Sequence, residues 1–129
     1  MIDHISVAVR DLAVAERFYT ALLAALGMTK LREWPDAGVG FGKKYPEFWI
    51  NRRIAMDSVA ADSGAHICLR ARDTKAVDAF FAAALKAGGA SDGAPGLRPH
   101  YYAGYYAAFV RDPDGNRIEA VTFLRDKDL

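Results

Sequence analysis

The chain has a single cysteine, Cys68, in 129 residues. An internal disulfide is therefore excluded, and such usage fits a reducing compartment. Neither sign of charge is in excess: seventeen basic against sixteen acidic residues leave a formal +1. That balance offers no electrostatic footprint for nucleic acid or an anionic membrane surface. No apolar run approaches the ~20 residues a membrane helix needs. No basic segment leading into an apolar stretch opens the chain, which argues against a signal peptide and for a cytoplasmic location. Histidine is scarce too, at three residues: His4, His66 and His100.

What is present is ordinary for a globular protein, 52% hydrophobic and 26% charged. The length suits one domain over 1–129, enough to bury roughly two-thirds of the unfolded surface. Within it, two of the three histidines occupy the same place in a repeat. "DHISVAVRDL" begins at Asp3, and "AHICLRARDT" begins 62 residues later at Ala65. At that shift Ile5 meets Ile67, Asp11 meets Asp73, Phe18 meets Phe80, Leu23 meets Leu85 and Gly27 meets Gly89. Two copies of a long period read as two pseudo-symmetric half-modules, about 1–60 and 61–129.

Each half opens on an alternating strand, with Ile5, Val7 and Val9 on one face and His4, Ser6 and Ala8 on the other. His66 and Cys68 likewise oppose Ile67 and Leu69. Asp11, and Asp73 or Thr74, then cap a helix. The first helix turns Leu12, Ala15, Tyr19, Leu22, Leu23 and Leu26 inward and stops near Gly27. The second turns Val77, Phe80, Phe81, Ala84 and Leu85 inward and stops at Gly88-Gly89. Short strands follow: 28–33, 38–42 and 47–52 in the first half, and 90–93, 105–110 and 116–123 in the second. Asp112-Pro113-Asp114-Gly115 is a turn signal. Here a shift of 68 pairs Phe41 with Phe109 and Asn51 with Glu119, leaving six extra residues within 92–104. The fold class is α+β: two βαβββ modules form a cup-shaped curved sheet with helices outside.

His4 and His66 face the cup by alternation, and Glu119 can point the same way. Two neutral imidazoles and one carboxylate on separate strands hold a divalent ion with open positions, which can polarise substrate oxygens. Arg117 is the competing partner for Glu119, since a buried carboxylate needs a cation of some kind. His100, in the longer loop, is a candidate proton-transfer group beside Glu119. Trp49, Asn51, Phe41, Tyr105, Phe109 and Arg98 are candidate substrate-pocket residues. Lys43, Lys44, Arg52 and Arg53 are further anion anchors.

"DHISVAVRDLAVAERFYTALLAALG", "AHICLRARD" and "FVRDPDGNRIEAV" resemble the vicinal oxygen chelate superfamily of glyoxalases, bleomycin-resistance proteins and dioxygenases. The resemblance spans nearly the whole chain. It implies paired βαβββ modules, a homodimer, and one divalent metal (Zn, Ni, Co, Mn or Fe) on His4, His66 and Glu119. It also implies a small substrate that chelates the metal through neighbouring oxygens, in lyase or isomerase chemistry. Glyoxalase I-like members carry a fourth ligand, usually Glu, where this chain matches Asn51. The three-ligand set resembles that of fosfomycin-resistance thiol transferases and of extradiol dioxygenases, the latter longer and using Fe(II) or Mn(II). Ten residues before Glu119, however, stands Phe109 and not a tyrosine. A non-catalytic drug- or metabolite-binding protein is the third reading.

Overall fold

The computed structural model describes residues 1–129. The chain runs β1 (Ile5–Val9), α1 (Leu12–Ala24), β2 (Thr29–Trp34), β3 (Gly38–Gly42) and β4 (Phe48–Arg52). It then repeats as β5 (His66–Arg70), α2 (Thr74–Lys86), β6 (Ala90–Leu97), β7 (Tyr105–Arg111) and β8 (Arg117–Phe123), with a closing 3₁₀ turn, Asp126–Asp128. Two four-stranded mixed sheets result, ordered β1-β4-β3-β2 and β5-β8-β7-β6. In each, the strand before the helix pairs parallel with the last strand of its half, and the rest is antiparallel. This is the expected pair of βαβββ modules.

Local chemistry explains the repeat. Asp11 accepts from the Val14 amide at 3.1 Å and Asp73 from the Ala76 amide at 2.8 Å, so both helices start at the same cap, 62 residues apart. Both helices stop at a glycine in the left-handed region, Gly27 (φ 79°) and Gly88 (φ 101°). The helices cover the apolar sheet faces and pack on each other, closing one core cluster drawn from both halves. Phe18, Leu22, Phe41, Phe48, Ile50 and Phe80 in it are fully buried. Leu85, expected to point inward, is 42% exposed, whereas Val77, Phe80 and Ala84 of that stripe are fully buried.

β6 is longer than its expected extent. It continues through Pro95 and Gly96 to Leu97, with register shifts between Ser91 and Gly93 and between Gly93 and Gly96. As the sheet's edge strand it tolerates proline and bulges that an inner strand would not. The extra residues of the second half before β7 are thus spent on an irregular edge strand and the turn after it.

The Asp112–Asn116 turn joins the halves. Asp114 Oδ1 accepts from the Arg10 amide (3.0 Å) and Nε (2.8 Å), and Asn116 Nδ2 donates to the Ala8 carbonyl (2.9 Å). Tyr19 of α1 donates its hydroxyl to Asp112 Oδ2 at 2.6 Å, both groups being buried. Burial drives the Tyr19 phenol well above its ordinary range, reinforced by the Asp112 charge. Burial also raises Asp112, against the opposing pull of its Tyr19 and Asn116 donors. No helix is long and apolar enough to cross a membrane.

Candidate functional site

Strand pairing decides what shares the cup face. In the second half, Cys68 stands level with Glu119 and Phe109 stands opposite it. His66, Cys68, Glu119, Arg117, Phe109 and Tyr105 therefore lie on one face, while Ile67, Ile118, Ala120, Ala108 and Val110 face the helices. Tyr106, of opposite parity to Tyr105, reaches Asp78 of α2 instead (2.7 Å).

Glu119 is 2% exposed, and its two oxygens have different partners. Oε1 meets His66 Nε2 at 3.0 Å, and Oε2 accepts a short hydrogen bond from the Tyr105 hydroxyl. The competing partner, Arg117, is engaged elsewhere: its guanidinium donates to the Ser63 and Ala61 carbonyls and lies 3.7 Å from Asp92. Glu119 is thus a buried carboxylate whose only basic neighbour is a histidine. The effect reaches the neighbours. Burial first, and then the bond to Glu119, pushes the Tyr105 phenol up. Burial first, and then the Glu119 charge, pushes the Cys68 thiol up to about 12. Both keep their protons at neutral pH, so Tyr105 is a donor to Glu119 and Cys68 is not a nucleophile.

His4 stands just ahead of β1, with its Nδ1 bonded to Asp3 Oδ1 at 2.7 Å. Bonds from His4 and Tyr45 hold the Asp3 carboxyl below its usual value. His4 and His66 line opposite walls of one cleft of about 350 Å³ between the β1 and β5 edges, with Cys68 on its wall. As they stand, no three His, Cys, Asp or Glu side chains converge to hold an ion. Two members of the expected triad are in contact, and His4 faces their cleft from across it. By donor type the set fits a divalent ion.

The pocket residues divide. Trp49 and Asn51 line a first-half cleft of about 420 Å³ with His4, Trp34, Tyr45 and Arg53. Phe109 lines a second-half cleft of about 200 Å³ with His66, Tyr101 and Arg117. Arg98 lies 5.3 Å from the Phe109 ring centroid and donates to the Gly96 and Ala94 carbonyls, bracing the bulged β6. His100 is exposed and lies against Tyr101 with ring centroids 4.3 Å apart and the rings tilted by 46°, and Tyr101 meets Tyr105 edge-on at 4.9 Å. His100 thus stands two rings away from Glu119.

Two expectations need correction, for one reason. Phe41 is fully buried in the core and faces the helices. In register, Gly40 pairs with Trp49 as Phe109 pairs with Glu119, and Ser6 stands level with Trp49 as Cys68 does with Glu119. The shift of 68 is therefore one residue out on β3/β7, which flips the face, and two out on β4/β8. Phe41 corresponds to Val110, a core residue. The first-half counterpart of Glu119 is Trp49, and Asn51 stands level with Val121. The place of a fourth ligand holds an indole. The sequence reading also passed over Trp34 and Tyr45. The signal available was "GVGFG", whose alternate glycines strip one face of β3 and leave room for neighbouring aromatics.

A family model described as Glyoxalase/Bleomycin resistance protein/Dioxygenase superfamily matches residues 1–120. No curated protein matches the chain by sequence. Among solved structures, a glyoxalase/bleomycin resistance protein from Albidiferax ferrireducens T118 is 31% identical, with a TM-score of 0.77, over 92% of this chain and 95% of that one. A lactoylglutathione lyase from Agrobacterium tumefaciens shares the fold at 21% identity and TM-score 0.64, over 94% of this chain and 92% of that one. So does the fosfomycin resistance protein FosX from Mesorhizobium loti, at 18% and 0.67, over 97% and 93%.

Proposed function

Since this chain belongs to the glyoxalase/bleomycin resistance protein/dioxygenase superfamily, we propose that it is a metal-dependent, glyoxalase-like enzyme of lyase or isomerase type, acting on a small substrate with two adjacent oxygens. His4, His66 and Glu119 would hold one divalent ion. The observation that supports this is the setting of Glu119, a buried carboxylate bonded to His66 and Tyr105 and to no lysine or arginine. Such a group is costly without a cation. Nitrogen and oxygen donors of this kind suit Zn, Ni, Co, Mn or Fe. When bound, such an ion supplies Lewis-acid polarisation of the paired oxygens.

The chain's own residues do the rest. Tyr105 keeps its proton and fixes one oxygen of Glu119, leaving the other beside His66. The aromatic wall of Tyr101 and Phe109 limits water around that carboxylate. Tyr105, bonded to Glu119 directly, is better placed than His100 to govern where a proton rests.

A non-catalytic binding protein is the second reading, favoured by His4 standing apart from the pair in a bond to Asp3. Metal content per chain, measured by elemental mass spectrometry on gently purified protein and on a His4→Ala/His66→Ala variant, separates the two. Near-stoichiometric metal in the parent and none in the variant is expected. A parent that takes up none of Mn, Fe, Ni, Co or Zn would sink the enzyme reading and leave the binding protein.

A further inference from the structure

On its cup face the first half leaves β3 without side chains. Gly38, Gly40 and Gly42 put no side chain on the cup face of β3, whereas Val39 and Phe41 of the same strand fill the core. Glycine weakens a strand interior, and its use there marks a place where something approaches the backbone closely. At Gly40 that something is Trp49. A Cβ on Gly40 would lie 2.8–2.9 Å from three atoms of the indole, so the ring rests flat on the strand. Its Nε1 donates to the Pro46 carbonyl at 3.0 Å, which fixes the ring in plane. One face of a rigid indole is thus sealed and the other is turned to the cleft.

The rest of the cleft has matching chemistry. Trp34 is 62% exposed and Tyr45 52% exposed, both lining it, an unusual outlay of exposed aromatic surface beside the indole. The lining contains no carboxylate and one full positive charge, Arg53. That guanidinium donates to the Arg52 carbonyl at 3.2 Å and to no acid. Alternation carries Trp49, Asn51 and Arg53 on one face of the chain, ~6.6 Å apart at each step. The charge therefore stands about 13 Å along from the indole, within reach of a long side chain leaning back toward it. At about 420 Å³ the cleft falls in the range of small-molecule sites.

We propose that this cleft binds a flat aromatic ring bearing a negative group, with the ring stacked on Trp49 and the anion at Arg53. An indole face attracts a ring through dispersion and offset stacking, and an unpaired guanidinium takes a carboxylate or phosphate with paired hydrogen bonds. His4 lines the same cleft at its other end, so an aromatic acid seated there lies against one of the proposed metal ligands. The ligand's meaning as substrate rests on the enzyme reading above. The binding itself does not, because it needs no metal.

The test is titration of 2-naphthoate into the whole protein in EDTA, followed by tryptophan fluorescence and calorimetry, with neutral 2-naphthalenemethanol as the matched probe. Saturable quenching at one site per chain is expected. Arg53→Gln should weaken 2-naphthoate about ten- to a hundredfold, the scale of one charge-assisted hydrogen bond, and leave the neutral probe unchanged. Trp49→Leu should weaken both probes about tenfold. Arg53 and Trp34 are exposed, so Arg53→Gln and Trp34→Ala report on binding with the fold intact, checked by circular dichroism. Trp34→Ala should weaken both probes; absence of saturable quenching, or Arg53→Gln binding 2-naphthoate like the parent, overturns the proposal. With EDTA present, a failure here leaves the metal content untouched, and a metal-free parent leaves this binding untouched.

Discussion

The two halves share a fold, a helix cap and a core face, and differ on the face turned to the cup. At the place where β4 crosses Gly40, the first half sets a large ring, Trp49, over a strand with no side chain. At the matching place the second half sets the large ring, Phe109, on β7 and leaves β8 a buried carboxylate, Glu119. Bulk and polarity have changed strands. Because the core face must fill the same volume under each helix, it is constrained to apolar residues in both copies. The cup face carries no such constraint, so the second copy sets a carboxylate among its aromatics where the first sets only a ring. On the proposals above, that division would give the first half the anchoring of a flat group and the second half the metal.

The strongest way to break this division is at Glu119. Glu119→Gln removes the buried negative charge, and the bound divalent metal is expected to weaken by more than about 100-fold, beyond the loss typical of a residue that merely supports a ligand. Competition with a fluorescent chelator measures it. Unchanged affinity would make the second half no more a metal half than the first. Tyr105→Phe comes next. The phenol touches Glu119 and supplies no ligand atom, so a loss of about 10–100-fold in metal affinity is expected with the fold preserved.

Tyr19→Phe tests a difference of another kind. Its counterpart at the 62-residue shift is Phe81, which has no hydroxyl. Losing the bond to Asp112 should cost about 1–2 kcal/mol in urea unfolding at neutral pH. The sign with pH follows from the raised phenol. Above about pH 10 the unfolded chain releases this proton while the folded chain keeps it, so folding stability falls as pH rises. The parent should therefore lose stability above pH 10 more steeply than Tyr19→Phe, by up to about 1.4 kcal/mol per pH unit. Parallel curves would show that the hydroxyl is not held protonated by burial. The smallest effect is expected from Trp49→Glu, which puts a carboxylate at the first-half counterpart of Glu119. Metal should bind about tenfold more tightly, near 1.4 kcal/mol, as aromatic binding is lost.

Much of this was legible in the chain. The caps at Asp11 and Asp73, the glycine stops and the alternation of β1 and β5 are local rules, and both helices and β5 follow from them closely. Which residues share a face across strands is set by pairing register, and register is not local. Phe41 and Asn51 show the cost. A shift of 68 aligned two plausible ten-residue spacings, but one residue of slip moved Phe41 from cup to core. Leu85 fails for a related reason, since its repeat partner Leu23 is fully buried and only tertiary packing separates the two. His66 and Glu119, by contrast, lie on neighbouring strands of one half, where alternation alone brings them to the same face. His4 belongs to the other half, and its distance from them depends on how the halves dock.

That docking runs through the Asp112–Asn116 turn, whose polar groups are answered by Ala8, Arg10, Tyr19 and, through Val59, the segment between the halves. Neither half is self-sufficient. A gene cut between residues 53 and 65 would give a second fragment in which Asp114 has lost its Arg10 donors and Asp112 its Tyr19 donor, and a first fragment whose opening strand has lost its outside restraint. Such fragments are expected to recover native structure only together. The repeat is thus a division of the sequence and not of the folding unit: each copy supplies bonds that complete the other.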